Sequence, residues 1–115
     1  TVALITKEHS AKSKSKRADG KKLGDFADMI LDTGAPVGDS MIYIDGLETP
    51  VAPGSTVGGI IIINSIKAEV AKLLTEAGQP PKVLTATAIV GDEKAKKLFE
   101  AAYDEHSQRM AKLSP

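Results

Sequence analysis

Apolar residues fall into short blocks separated by polar or glycine-rich stretches. The first block, VALIT at 2–6, is continuous, which predicts a strand buried on both faces of a parallel sheet. KEHSAKSKSKRA at 7–18 has no apolar period and predicts a polar loop. DGKKLGDFA at 19–27 predicts a short helix, with Asp19 as its cap and Leu23, Phe26 and Ala27 facing inward. MILD at 29–32 is the next strand. Residues 2–32 thus form a β-loop-α-β unit long enough for a crossover between parallel strands.

TGAPVGDS at 33–40 is turn chemistry, with two Gly and a Pro. MIYID at 41–45 alternates and predicts an edge strand, and GLETPVAP leads out of it. PGSTVGGIIIINSIKAEVAKLLTEAG, Pro53 to Gly78, predicts one long helix. Its four consecutive Ile favour a strand by local propensity. The hydroxyls of Ser55 and Thr56 at its start, and apolar positions continuing at helical spacing to Leu74, decide for helix. Gly78 and Pro80 stop it. Gly58 and Gly59 cost roughly 1 kcal/mol each against Ala in a helix, which suggests that another backbone comes close. QPPKVLTATAIVGD at 79–92 is expected to be extended, with a short strand near Val83–Thr87. Asp92 then caps a last helix over 93–112, with Leu98, Phe99, Ala102 and Tyr103 on one face.

The length of 115 residues suits one small domain. The absence of Cys excludes disulfides and thiolate metal sites. His9 and His106 lie far apart without ligand spacing, so no metal is expected, and no cofactor motif appears. No apolar run of bilayer length and no signal-peptide pattern occurs, so a soluble cytoplasmic protein with no membrane partner is the expectation. The zero net charge hides an asymmetry. Residues 7–22 hold seven basic and two acidic residues, a net +5; the remainder holds eight basic and thirteen acidic, a net −5. Only four aromatics are present, which argues against a stacking platform for nucleic acid; binding through the basic loop would be nonspecific. The chain opens on Thr1 and an apolar block, which suggests part of a longer protein.

Two places carry candidate chemistry. The loop 9–22 follows the C-terminal end of the first strand, where ligands bind in open α/β sheets. His9, Ser10, Ser13 and Ser15 offer hydrogen bonds to a polar ligand there, and Lys21 or Lys22 a charge for an anion such as phosphate. The plain alternative is a solvated basic loop. The second place is the start of the long helix, where Ser55 and Thr56 stand beside unpaired backbone N–H groups and the positive end of the helix dipole. Its plain alternative is capping alone. Asp39 is expected to fix a turn, and His106 to lie on a solvated helix face.

GKKLGDFADMILDTGAPVGDSMIYIDGL, VAPGSTVGGIIIINSIKAEVAKLL and QPPKVLTATAIVGDEKAKKLFE, taken in order, resemble the C-terminal half of SIS (sugar isomerase) domain proteins. They are most similar to an uncharacterised bacterial family of such proteins. The helix start at Gly54–Thr56 is also similar to that of the N-acetylmuramic acid 6-phosphate etherases. The resemblance covers nearly the whole chain. It implies an α/β fold: residues 1–115 as part of a three-layer α/β/α sandwich with a parallel sheet, incomplete because the main phosphate-cradling loop belongs to the other half. It implies a phosphosugar or related carbohydrate derivative as ligand, a homodimer, and aldose–ketose isomerisation as the reaction if one occurs. It also implies Glu48, in the lead-in to the long helix, as general base. The family carries an SRH-like sequence further along the basic loop. Here SKSKRAD stands there and the histidine is at position 9, which weakens a catalytic role for His9. A non-catalytic sugar-phosphate sensor and a dimeric interaction module are the alternatives.

Overall fold

The computed structural model describes residues 1–113. The chain divides into two compact units, with the boundary between Glu69 and Val70.

In the first unit, β1 (Val2–Ile5) and β2 (Met29–Asp32) pair in parallel, with Val2 opposite Met29 and Leu4 opposite Leu31. The Thr33 N–H extends the ladder to Ile5 O at 2.9 Å, and the hydroxyls of Thr6 and Thr33 meet at 2.6 Å just beyond both strands. The crossover differs from expectation. Residues 7–18 are not all loop: Lys7–Lys12 form helix α1. Residues 19–27 are not an α-helix: only Leu23–Phe26 turn, as a 3-10 helix. Asp19 caps nothing there; it accepts from the Arg17 guanidinium at 2.9 and 2.7 Å and from Lys21 N–H.

Both ends of α1 are satisfied from elsewhere in the chain. Thr6 gives no side-chain cap; Asp32 Oδ1, at the end of β2, accepts the Lys7 N–H at 3.1 Å. At the other end Lys22 Nζ donates to the carbonyls of Ser10 and Ala11, two of the four that a helix leaves open. An exposed Glu8–Lys12 pair adds a few tenths of a kcal/mol. A six-residue helix gains too little from propensity to stand alone, which is why its residues read as loop.

The predicted strand 41–45 is shorter and shifted, β3 (Ser40–Ile42). It pairs antiparallel with β4 (Val51–Pro53), which lies in the stretch expected to be a mere lead-in. The architecture is therefore mixed α/β with one small parallel and one small antiparallel sheet. Helix α2 (Gly54–Glu76) follows β4 directly, as the apolar spacing predicts. Of its glycine pair, Gly58 is the close contact: a Cβ there would lie 2.1 Å from Thr33 O. Gly59 would meet only Leu4 Cδ2, at 3.7 Å. Among the described residues Ala3 and Ala35 are the buried apolar side chains. Ile60, Ile61, Ile63 and Ile66 of α2 remain 42–60% exposed.

The second unit starts in the last turns of α2. Gly78 is left-handed at φ 73°, its N–H donates to Thr75 O, and the next N–H, of Gln79, reaches back to Leu74 O at 2.8 Å. This pair of bonds is the glycine stop the sequence predicts. No strand forms near Val83–Thr87; a short helix, α3 (Thr87–Val90), begins there. Helix α4 (Asp92–Ala111) takes Gly91, not Asp92, as its N-cap, and Asp92 lies in its first turn. On α4, Leu98 and Ala102 are half-buried, while Phe99 and Tyr103 are exposed and stack at 6.1 Å.

The two glycines of α2 predict opposite outcomes. Gly58→Ala forces α2 away from Thr33 and is expected to destabilise by about 1–3 kcal/mol. Gly59→Ala meets ordinary contact and is expected to be neutral or stabilising by up to roughly 1 kcal/mol. Urea midpoints of the two variants check this; equal shifts would contradict the close approach.

Candidate functional site

The C-terminal ends of parallel strands collect loops and helix starts, and a ligand finds backbone and side-chain donors there. In the first unit an open depression of about 400 Å³ lies at this end, and Ile5, Thr6, His9, Ser10, Ser13, Lys22, Leu23, Asp39 and Ser55 line it. Of the residues expected from sequence, His9, Ser10, Ser13, Lys22 and Ser55 are brought together here. Ser15, Thr56 and Glu48 are not among its lining. Ser15 Oγ donates to Lys21 O at 2.7 Å and accepts the Arg17 N–H, so it shapes the loop. Thr56 and Glu48 are exposed, Glu48 in the loop between β3 and β4.

Asp39 organises one end of the depression. Its backbone is left-handed, φ 71°, which few residues other than Gly, Asn and Asp adopt. Its N–H donates to Pro36 O, and its carbonyl accepts the Gly54 N–H at 2.7 Å. Its carboxylate accepts twice from Ser55, the N–H at 2.7 Å and the hydroxyl at 2.8 Å. The expectation that Ser55 or Thr56 caps the long helix therefore needs correcting. Helix α2 begins at Gly54, and Asp39 supplies the acceptor from 16 residues away. Ser55 is a donor to that carboxylate, a charge-assisted bond worth more than the ~1 kcal/mol of a hydroxyl cap. The turn role expected for Asp39 is present, and the contact with α2 goes beyond it.

His9 stands beside this joint. Its Nδ1 accepts the Gly38 N–H at 3.0 Å, so the ring proton sits on Nε2. Towards a ligand His9 then offers a hydrogen-bond donor, and acting as a base would mean giving up Gly38. Ser13 Oγ donates to Ser10 O at 3.0 Å. Lys22 is turned to the same carbonyl and to that of Ala11. Ser10 is half-buried, and its hydroxyl makes no hydrogen bond among the described residues.

The basic loop is partly spoken for. Arg17 binds Asp19 with both donors of its fork, and this pairing raises the Arg17 pKa. The Asp19 carboxyl is held below its ordinary value, first by Arg17 and then by the Lys21 N–H. Arg17 and Lys21 also lie over the Phe26 ring, at 4.9 and 5.6 Å. His106 is exposed, as expected, and borders a groove in the second unit with Glu105 and Arg109. Among the described residues no group of His, Asp and Glu is arranged to hold a metal ion, and no helix is long and apolar enough to cross a membrane.

The fold and the site define a class: a mixed α/β protein with a polar, hydroxyl-rich depression at the C-terminal ends of parallel strands. No family model matches the chain. It is homologous over nearly its full length to proteins of the UPF0309 family. It is 30% identical over 113 residues to a UPF0309 protein of Listeria innocua, an alignment spanning 97% of this chain and 44% of that protein. A UPF0309 protein of Listeria monocytogenes gives 30% over 112 residues. One of Thermoanaerobacter pseudethanolicus gives 35% over 94 residues, 80% of this chain and 38% of the relative. The chain thus spans less than half the length of the curated relatives it matches.

Asp32, at the end of β2, predicts a pH dependence. Its carboxyl is held below the ordinary value first by the Gly34 N–H and then by the Lys7 N–H, with the Lys7 charge adding to them. A depressed folded pKa contributes stability that is present above the ordinary carboxylate range and is lost as pH falls through the folded value. Asp32→Asn keeps an acceptor but not the charge. The stability gap between the unaltered protein and this variant is expected to close on going from neutral to strongly acid pH. Urea unfolding at both pH values reads the gap, and a constant gap would rule the linkage out.

Proposed function

We propose that the chain forms part of a binding site for a phosphorylated sugar or related carbohydrate derivative, within an SIS-type α/β/α sandwich. The observation that carries this reading is the convergence of His9, Ser10, Ser13, Lys22 and Ser55 on one depression at the C-terminal ends of β1 and β2. These residues are scattered over 47 positions of sequence, from His9 to Ser55, and the crossover and the start of α2 gather them. The resemblance of the ordered segments to SIS proteins supports the same reading. Binding is favoured over isomerisation. Glu48 does not line the depression, and the Nδ1 of His9 already accepts from Gly38. The site serves as part of a sensor or carrier surface unless the remaining length of the complete protein brings a base to it.

The intact protein carrying this sequence is expected to gain a few degrees of thermal stability with a hexose phosphate or amino-sugar phosphate at about a hundred times its Kd. Ser10→Ala removes an unengaged hydroxyl and is expected to weaken binding by about tenfold. A panel of such phosphosugars that leaves the melting temperature unchanged would falsify the binding reading.

A second reading is favoured by α2, whose isoleucines at 60, 61, 63 and 66 are exposed. A helix apolar on more than one side is ordinarily covered, and a homodimer contact through it accounts for that. Sedimentation of the intact protein is expected to show a dimer that Ile61→Asp dissociates; a monomer at all concentrations would dispose of this reading.

A further inference from the structure

We propose that Asp39 gives the depression two ends of opposite preference. The end at α2 accepts ligand hydroxyls and turns phosphate away, and the end at Lys22 takes the anionic group. This rests on the carbohydrate-derivative reading above and adds the direction in which such a ligand lies.

A free helix start attracts anions, because its first N–H groups are unpaired and the dipole is positive there. In α2 the first two of those groups are already used. The Gly54 N–H goes to Asp39 O, the Ser55 N–H to one carboxylate oxygen of Asp39, and the Ser55 hydroxyl to the other. The carboxylate stands where a phosphate oxygen would stand, so a second anion meets a like charge. A carboxylate has about four acceptor positions, and Ser55 takes two of them. The remaining ones suit a neutral hydroxyl donor, which brings no second negative charge to the carboxylate.

The other end has the opposite character. Lys22 Nζ is shared between the carbonyls of Ser10 and Ala11, and an ammonium carries three donors. One donor and the positive charge remain for an anion. Neutral donors link the two ends: His9, fixed through Gly38 next to Asp39, and the Ser10 hydroxyl. Acceptor, neutral donors and cation in that order match a sugar whose hydroxyls point to Asp39 and whose phosphate points to Lys22.

The test follows isotope-labelled backbone amides of the intact protein by NMR, with inorganic phosphate as the first probe. Asp39→Asn keeps an acceptor and a residue type that tolerates the left-handed backbone; Asp39→Gly removes the side chain and the conformational strain together. Phosphate is expected to leave the Ser55 amide of the unaltered protein unmoved. It is expected to shift that amide saturably in both variants, with affinity tighter by about tenfold or more once the like charge is gone. The inference is overturned if phosphate shifts Ser55 equally well with Asp39 present, or if it fails to shift Ser55 in folded variants. A panel of phosphosugars is the second probe. If none of them perturbs His9, Ser10 or Lys22 while the phosphate result stands, the carbohydrate reading fails and the anion-excluding role of Asp39 survives.

Discussion

The contact between Asp39 and the first residues of α2 is the joint on which the first unit depends. It connects three pieces at once: the turn after β2, the start of β3 and the 23-residue helix α2. The geometry leaves little choice of residue. A carboxylate is needed to satisfy two Ser55 donors, and the left-handed backbone excludes most side chains. One turn later, Gly58 lets the helix backbone lie directly on Thr33 O. Thr33 in turn is tied to β1 through Ile5 O and to Thr6 through its hydroxyl. Parallel pair, turn and helix are thus locked by two neighbouring contacts, and the depression is the space left between them and α1.

The same device recurs at α1, which is closed by Asp32 at one end and Lys22 at the other. In both helices the cap comes from a residue distant in sequence. This explains what could and could not be read from the chain. β1, β2 and α2 were legible because their signals are local: a continuous apolar block, a second one at crossover distance, and a long run at helical spacing with a glycine stop. α1 was not, because no local apolar period marks it and its ends are satisfied through tertiary contacts. β4 was hidden by two prolines, Pro50 just before it and Pro53 as the last of its three residues. The short strand expected near Val83–Thr87 finds no pairing partner among the described residues, and from Thr87 on the chain is helical, as α3.

The candidate site was legible in its membership more than in its roles. Serine, histidine and lysine after a parallel strand are a pattern that topology explains, and five of the expected residues do share one depression. Their tasks follow from partners that sequence spacing does not reveal. Ser55 was expected to cap and instead donates; Asp39 was expected to hold a turn and also neutralises a helix start. The one available signal was the Gly-Asp pair at 38–39 ending a glycine-rich turn, because an aspartate after such a turn is placed to reach a neighbouring helix start.

A helix start already neutralised by the protein's own carboxylate has a consequence for recognition. On this proposal free anions compete weakly for such a place, while a polyol hydroxyl exchanges water for a carboxylate that is held in position. Discrimination then comes from what the site refuses as much as from what it accepts. The positive charge of the crossover is treated in a similar way. Arg17 is committed to Asp19, and Lys22 is directed to carbonyls, so neither is a loose cation on a mobile loop. With its charges fixed in place on both sides, the depression presents a directional pattern of donor and acceptor instead of a diffuse positive field. That pattern favours a ligand with a neutral and an anionic end over a simple polyanion.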